Sequence, residues 1–416
     1  MKNKKTLCIM LCTLLCVTLL CTSCDTDNVS QTGTSSGDVS HTDGESRYVA
    51  DVEPADYGGQ QLVFLIRGQE HGDFETWDFQ AEETTSEVIN TALEERYYYI
   101  DATFNVQLTA LKVGGERNYG TMYEKVMLEN TAQTGEFDVI YCPVYDMTSH
   151  AINGRLYDLS EVGILDFSKP WWDKEAMDDI AVGNRYFGAV GDISVQITET
   201  CQIILFNKDM ISSLGLENPY TLVEDNHWTL DKMASMAKNV YNDNNASANV
   251  DIGDTFGIGG QNDTMFSYLY GGGVHIAELD DEGTPYLTIN TSSNIDYIQK
   301  IFDLMTDNKT FMCANDYFGI PGFVSSPTEY IVDAFSLGRM LFYSEGLLHV
   351  EDFRDSAVDF GLLPTPLADE NQEEYAHLIG TWGATVVSIP LSCQKLEMAC
   401  TVVEAMAAES KNTLSP

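Results

Sequence analysis

RYFGAVGDISVQITETCQIILFNKDMISSLGLENPYTLVEDNHWTLDKMASMAKNVYND, residues 185–243, is the stretch on which the fold turns. It begins after Gly183-Asn184 with a β-rich run at 185–190 and breaks at Gly191-Asp192. A second β-rich run at 202–207 leads into the helix-start signal Asn207-Lys208-Asp209. The interval 194–200 is too polar for the middle of a core, and Gly191 supplies backbone freedom. This pattern predicts a strand that leaves one sheet and enters another. The result is a two-lobed α/β protein with a cleft at the joint, where small ligands preferentially sit.

The chain has 416 residues, enough for two cores, and 44% hydrophobic content, ordinary for a globular protein. Its formal net charge of -42 is not ordinary. A nucleic-acid partner is excluded, because phosphate is repelled wherever the field is not locally reversed. An acidic surface that keeps the protein soluble explains the charge, and attraction of a cationic substrate is the sharper alternative.

Five of the ten cysteines (Cys8, Cys12, Cys16, Cys21 and Cys24) crowd the N-terminus. Cys142, Cys201, Cys313, Cys393 and Cys400 remain, an odd number without C-x-x-C spacing, so neither zinc nor a disulfide framework is indicated. Lys2, Lys4 and Lys5 precede an apolar run at 7–20, the charge pattern and length of a signal peptide over 1–23. Residues 25–46 are rich in Ser, Thr, Gly and Asp and cannot bury enough surface to order themselves. Residues 24–57 are therefore read as a flexible tether.

Beyond the tether, apolar runs at 61–67, 104–111 and 137–141 alternate with helical patterns at 85–97 and 122–129. This order predicts a parallel sheet with right-handed crossovers. Ligands bind beyond the carboxyl ends of such strands. That rule brings Arg67 and Gln69 to the cleft after the first strand, and Tyr145 and Asp146 after the third. Trp77 follows in the first loop, either as a stacking platform for the C–H face of a sugar or packed beneath its own loop. Further on, Trp228 opens a helix with Met233, Met236, Ala237 and Val240 on a core face. Asp243, Asp251 and Asp254 do not match the spacing of a calcium loop, so no metal or cofactor is assigned. Tyr270 and Gly272 lie in FSYLYGGGV, a helix with its glycine stop. A β-run at 340–343 leads to Glu345, a hydroxyl acceptor. FGLLP at 360–364 reads as a return to the first lobe. Trp382 sits between Thr381 and Gly383 with little bulk beside it, as a stacking ring would.

GDIS followed by a β-run and FNKDMISSLGLENPYTLVEDNHWTLDKM resembles the extracellular solute-binding lipoproteins that serve carbohydrate ABC transporters. LDFSKPWWD at 165–173 and AFSLGRMLFYSEGLL at 334–348 are similar to that family as well, the latter as a second crossing, with 380–383 as a third. Leu20-Cys21-Thr22-Ser23-Cys24 resembles a lipoprotein box, with Cys21 departing from the usual residue and Cys24 as the acylated N-terminus. The resemblance implies a periplasmic-binding-protein-like fold with several interlobe crossings. It places 58–192 with 345–383 in the first lobe, and 193–344 with 384–416 in the second. It also implies ligand contacts from the loops after the first and third strands and from the segment around Tyr270 and Gly272. Family members continue with further helices, so the ending at Pro416 reads as truncated.

The function expected is a lipid-anchored receptor on the extracellular face of the cell membrane. It binds a carbohydrate and hands it to an ABC permease, without catalysis. A glycoside hydrolase using Asp192 and Glu345, or a peptide-capturing lipoprotein, is the alternative.

Overall fold

The structure, a computed structural model, describes residues 47–68, 75–82, 86–114, 120–247, 249–317 and 327–415. The signal segment, Cys24, the tether through 46 and Gln69 lie outside the described residues.

Eleven strands are described: β1 Gln60–Gly68, β2 Val106–Gly114, β3 Val139–Pro143, β4 Gln202–Asn207, β5 Phe256–Gly260, β6 Ala277–Leu279, β7 Pro285–Leu287, β8 Phe311–Cys313, β9 Met340–Gly346, β10 Phe360–Leu363 and β11 Thr385–Ser388. They make a four-stranded sheet in the order β11-β3-β1-β2, a five-stranded sheet in the order β10-β4-β9-β5-β8, and the hairpin β6-β7. In the first sheet β1 runs parallel to β2 and β3, and β11 closes the edge antiparallel to β3. In the second, β5 is parallel to β8 and β9, while β4 is antiparallel to β9 and β10.

The two-residue period of β1 shows why both faces need cover. Leu62, Phe64 and Ile66 pack into one apolar cluster, Val63 and Leu65 into another. β4 does the same in the second lobe, with Ile204 and Phe206 on one side, Ile203 and Leu205 on the other. Each such side chain contributes roughly 1.5–3 kcal/mol when fully buried.

The deciding stretch is a series of helix starts. Asn207 Oδ1 accepts from the Met210 amide at 2.9 Å, Asn218 Oδ1 from Tyr220 at 3.0 Å, and Thr229 Oγ1 from Lys232 at 3.2 Å. Each caps a helix: Lys208–Ser213, Pro219–Glu224 with proline in its first turn, and Leu230–Ala237. Trp228, Met233, Met236, Ala237 and Val240 are buried as their spacing predicts.

Several expectations are corrected. The run 185–190 is not a strand; it makes a single bridge, Ala189 with Val387. Gly191 is needed for packing rather than for an unusual backbone angle, since a Cβ there would lie 2.1 Å from the Trp171 carbonyl oxygen. The interval 194–200, expected to be too polar for a core, is buried at Ser194, Gln196 and Thr200 and exposed at Thr198, and Gln196–Glu199 is a helical turn. Its polar groups are tolerated because they are bonded. Ser194 Oγ donates to Asp78 Oδ2 at 2.7 Å and Gln196 Nε2 to the Glu75 carbonyl at 2.6 Å.

The lobe assignment of the later segments is also reversed. FGLLP does not return to the first lobe, because β10 pairs antiparallel with β4. β11 pairs with β3, and the helix Leu396–Thr413 that follows packs in the first lobe beside the helix Glu87–Phe104. Among the described residues the chain therefore crosses between the sheets twice, at 190–201 and at 376–384. The crossings lie side by side: Gln202 N donates to Leu378 O at 2.9 Å and Gly380 N to Thr200 O at 3.0 Å. The C-terminal stretch of the tether is also corrected. Arg47 pairs with Glu409, Tyr48 N bonds Asn412, and Ala50, Val52 and Tyr57 pack on the first core.

Candidate functional site

The paired crossings form the floor of a hollow of about 310 Å³. Gln196, Glu199 and Thr200 enter it from the first crossing, Trp382 and Gly383 from the second. The first lobe adds Arg67 at the end of β1 with Glu75 and Trp77 from the following loop. The second lobe adds Leu348, Glu351 and Asp352 from the short turn Leu347–Phe353 after β9. Both lobes and both crossings thus meet at one place.

Arg67, which sequence placed at the cleft, is buried there and works on the wall itself. Its Nη2 donates to the Gly383 carbonyl at 2.8 Å and to Thr385 Oγ1 at 2.9 Å, and its Nη1 to the Trp382 carbonyl at 3.3 Å. Desolvation lowers its pKa to about 10, still charged at neutral pH, with Cys142, Asp146 and Asp78 opposing the shift. The guanidinium therefore clamps β1 to the backbone carrying Trp382. Trp77 is half-buried, and its Nε1 donates to Glu199 Oε2 at 3.0 Å. Burial pushes the Glu199 carboxyl up to about 7; the indole bond opposes this, while the charges of Asp78 and Glu351 add to it.

Arg67, Trp77 and Trp382 are the sequence candidates that this hollow brings together. The others go elsewhere. Asp146 is buried behind the wall, where its charge supports Arg67. Tyr145 lines a separate hollow with Thr148 and Ile152 that reaches Thr381. Asp192 faces a third, beside Trp171 and Trp172, and pairs with Lys411 at 3.3 Å. Tyr270 sits beside His275 on the helix Thr264–Gly271. Gly272 is where that helix meets the helix Ser292–Thr306: a Cβ would lie 2.4 Å from the Tyr297 ring, so its smallness answers packing. Glu345 is buried in β9, where it accepts from Gln261 Nε2 at 2.7 Å, and burial raises its pKa. Asp192 lines the hollow beside Trp171 while Glu345 is taken up by Gln261 in β9, so the two carboxylates of the hydrolase reading have different partners.

Sequence reasoning missed Gln196, Glu199, Glu75, Glu351 and Asp352. The first two lie in the interval read as too polar for the middle of a core; a polar run at the predicted crossing was itself the available signal. Trp171 and Trp172 are both structural, donating to Glu404 at 3.0 and 2.9 Å. Asp251 and Asp254 are occupied by Asn245, Ser247, Gly253 and Tyr241. Cys142, Cys201, Cys313, Cys393 and Cys400 are free thiols. None of the described helices is long and apolar enough to cross a membrane.

No protein-family profile matches the chain. No curated protein matches it either. Solved structures do. The ABC substrate-binding protein Lmo0181 from Listeria monocytogenes, in complex with cycloalternan, aligns over 84% of this chain and 75% of its own at 16% identity and a TM-score of 0.52. UspC of M. tuberculosis aligns over 85% and 79% at 13% identity and a TM-score of 0.56. A cyclo/maltodextrin-binding protein complexed with maltotetraose aligns over 85% and 77% at 14% identity and a TM-score of 0.54. At these identities the likeness is one of fold: the chain has the two-lobed α/β architecture of periplasmic-binding-protein-like solute-binding proteins.

Proposed function

We propose that this protein is an extracellular solute receptor that closes its two lobes on a sugar or oligosaccharide and delivers it to an ABC transporter permease. The observation that carries the reading is the convergence of Trp77 and Trp382 on one hollow, floored by the only two described segments joining the lobes. Indole rings cover the C–H faces of a pyranose, while Gln196, Thr200 and the carboxylates accept or donate to its hydroxyls. The joint lets the lobes close without breaking either sheet. Binding alone accounts for this arrangement. The resemblance of 20–24 to a lipoprotein box extends the proposal to an acyl anchor on Cys24, which holds the receptor at the outer membrane face near its permease.

The sugars held by solved structures of the same fold, cycloalternan in Lmo0181 and maltotetraose in the cyclo/maltodextrin-binding protein, support the ligand class. Titration calorimetry against a panel of oligosaccharides tests it. The expected result is saturable binding at one site per chain with no new reducing ends. Release of reducing ends would replace the receptor by a hydrolase, and absence of binding across the panel would remove the carbohydrate assignment.

A further inference from the structure

We infer that the ligand of the interlobe hollow is a cationic carbohydrate, a sugar or short oligosaccharide bearing a protonated amine, whose ammonium group sits against Glu199 between Trp77 and Trp382. The inference rests on the carbohydrate reading above and specifies the charge of the substrate.

Among the described residues the walls carry four carboxylates, Glu75, Glu199, Glu351 and Asp352, against one cation, Arg67. That cation is turned away from the ligand. Its side chain is 2% exposed, its two terminal nitrogens are spent on Trp382 O, Gly383 O and Thr385, and its Nε is buried without a hydrogen-bond partner. An anionic ligand would find no accessible donor charge from Arg67 and would meet carboxylates from both lobes.

The four acids are not equivalent. Glu75 is neutralised by Lys112 at 2.9 Å, Asp352 lies 2.7 Å from His349 Nδ1, and Glu351 bonds the exposed Arg354 at 3.0 Å. Glu199 has the neutral indole of Trp77 as its side-chain donor, and the charges acting on it from the adjoining elements, Asp78 and Glu351, are both negative. Burial and those two acids raise its pKa to about 7, so near neutral pH it is shared between acid and carboxylate, and no cation pairs with it among the described residues. A protonated amine draws the group to its carboxylate form and supplies the counter-charge. The rings beside it are suited to the same ligand, since an indole face attracts an ammonium group as well as a sugar C–H face. A neutral sugar would use the rings and leave the charge uncompensated. Crossing residues contribute both the acid and Trp382, so the two halves of the ligand would be read at the joint that closes over it.

The test is calorimetry on the full chain at pH 7.5 in 0.15 M salt, with the glucosamine dimer, its N-acetylated counterpart, a neutral glucose dimer and an aliphatic diamine. The expected result is one site per chain and at least tenfold tighter binding of the amine-bearing dimer than of either neutral dimer. Glu199→Gln should reduce that preference to less than threefold. Glu351→Gln, a change at an exposed position, should lower it in the same direction and covers the case in which the first variant does not fold. Equal or tighter binding of the neutral dimers overturns the cationic assignment and leaves the carbohydrate reading standing. Equally tight binding of the aliphatic diamine overturns it too, because the sugar would then be irrelevant. Binding of several amine dimers per chain, unchanged by Glu199→Gln and by Glu351→Gln, assigns the effect to the acidic surface and also overturns the proposal. No binding of any sugar removes the carbohydrate reading itself.

Discussion

Trp382 lines the hollow and is held by its backbone. The Arg67 guanidinium bonds the carbonyl oxygens of Trp382 and Gly383, and neither bond depends on the indole. Trp382→Ala is therefore expected to weaken sugar binding by about 1–3 kcal/mol, as loss of a central aromatic contact does, while the thermal midpoint stays near that of the parent. Paired titration and melting experiments check this, and unchanged affinity or a collapsed fold would remove the ring from the site. Glu199 and Glu404 make a second expectation. Burial lifts each carboxyl from its ordinary 4.5 to about 7, against indole bonds that pull the other way. Over that window the folded chain binds more protons than the unfolded one, so stability falls as pH rises from about 4.5 and levels off above about 7. Glu404→Gln should flatten that decline even though it costs one of the two tryptophan bonds. Denaturant midpoints at pH 5, 6, 7 and 8 give the slope, and an unaltered slope in the variant would assign the decline to other groups.

The helix starts were the most legible elements, because each is a local event. The starts read at Asn207 and at Trp228 are capped by Asn207 and Thr229, which need no knowledge of the rest of the chain; the Asn218 cap, equally local, was not read. Strand partners were harder to read. β10 and β11 are each four residues long, and nothing within either tetrapeptide says whether β4 or β3 will accept it. The helix Leu396–Thr413 was likewise readable as a helix but not as a first-lobe helix. It is buried on nearly every side, so no polar stripe marks its outward face. Its polar groups are answered from distant parts of the chain: Glu404 by Trp171 and Trp172, Ser410 by Arg96, Glu409 by Arg47. The glycines were misread for a related reason. Gly272 looked like ligand-facing smallness, yet the contact that requires it belongs to Tyr297 on another helix. Gly272→Ala should cost about 1–3 kcal/mol by overpacking, and Tyr297→Leu in the same chain should recover part of that loss. Urea unfolding of the two single variants and the double variant measures the coupling. Additive losses would show that the two helices do not meet through this pair.

The cleft was legible as a consequence of topology, while its lining was legible only in part, through Arg67, Trp77 and Trp382. A polar interval between two β-rich runs announced a crossing, and the crossing announced a site. The interval itself, however, was read only as too polar for the middle of a core, although Gln196, Glu199 and Thr200 line the hollow. Two crossings carry the whole connection among the described residues, and they are bonded to each other at Thr200–Gly380 and Gln202–Leu378. His377 Nδ1 and Thr365 Oγ1 both reach the Gln202 carbonyl, at 3.0 and 3.2 Å, so the second-lobe end of this ribbon is tied down. At the first-lobe end, Arg67 and Gln196 hold Thr385. Closure of the lobes would bend this ribbon as a unit and carry Leu348, Glu351 and Asp352 toward Trp77. Ligand binding is therefore expected to reduce the radius of gyration by rotation of one lobe on the other, with both sheets intact. Small-angle scattering with and without a bound oligosaccharide, beside far-ultraviolet dichroism, checks this. A smaller particle with unchanged secondary structure is the expected pair of results. Saturation by sugar with no change in size would mean that the lobes are already fixed, and the proposed delivery by lobe closure would fail.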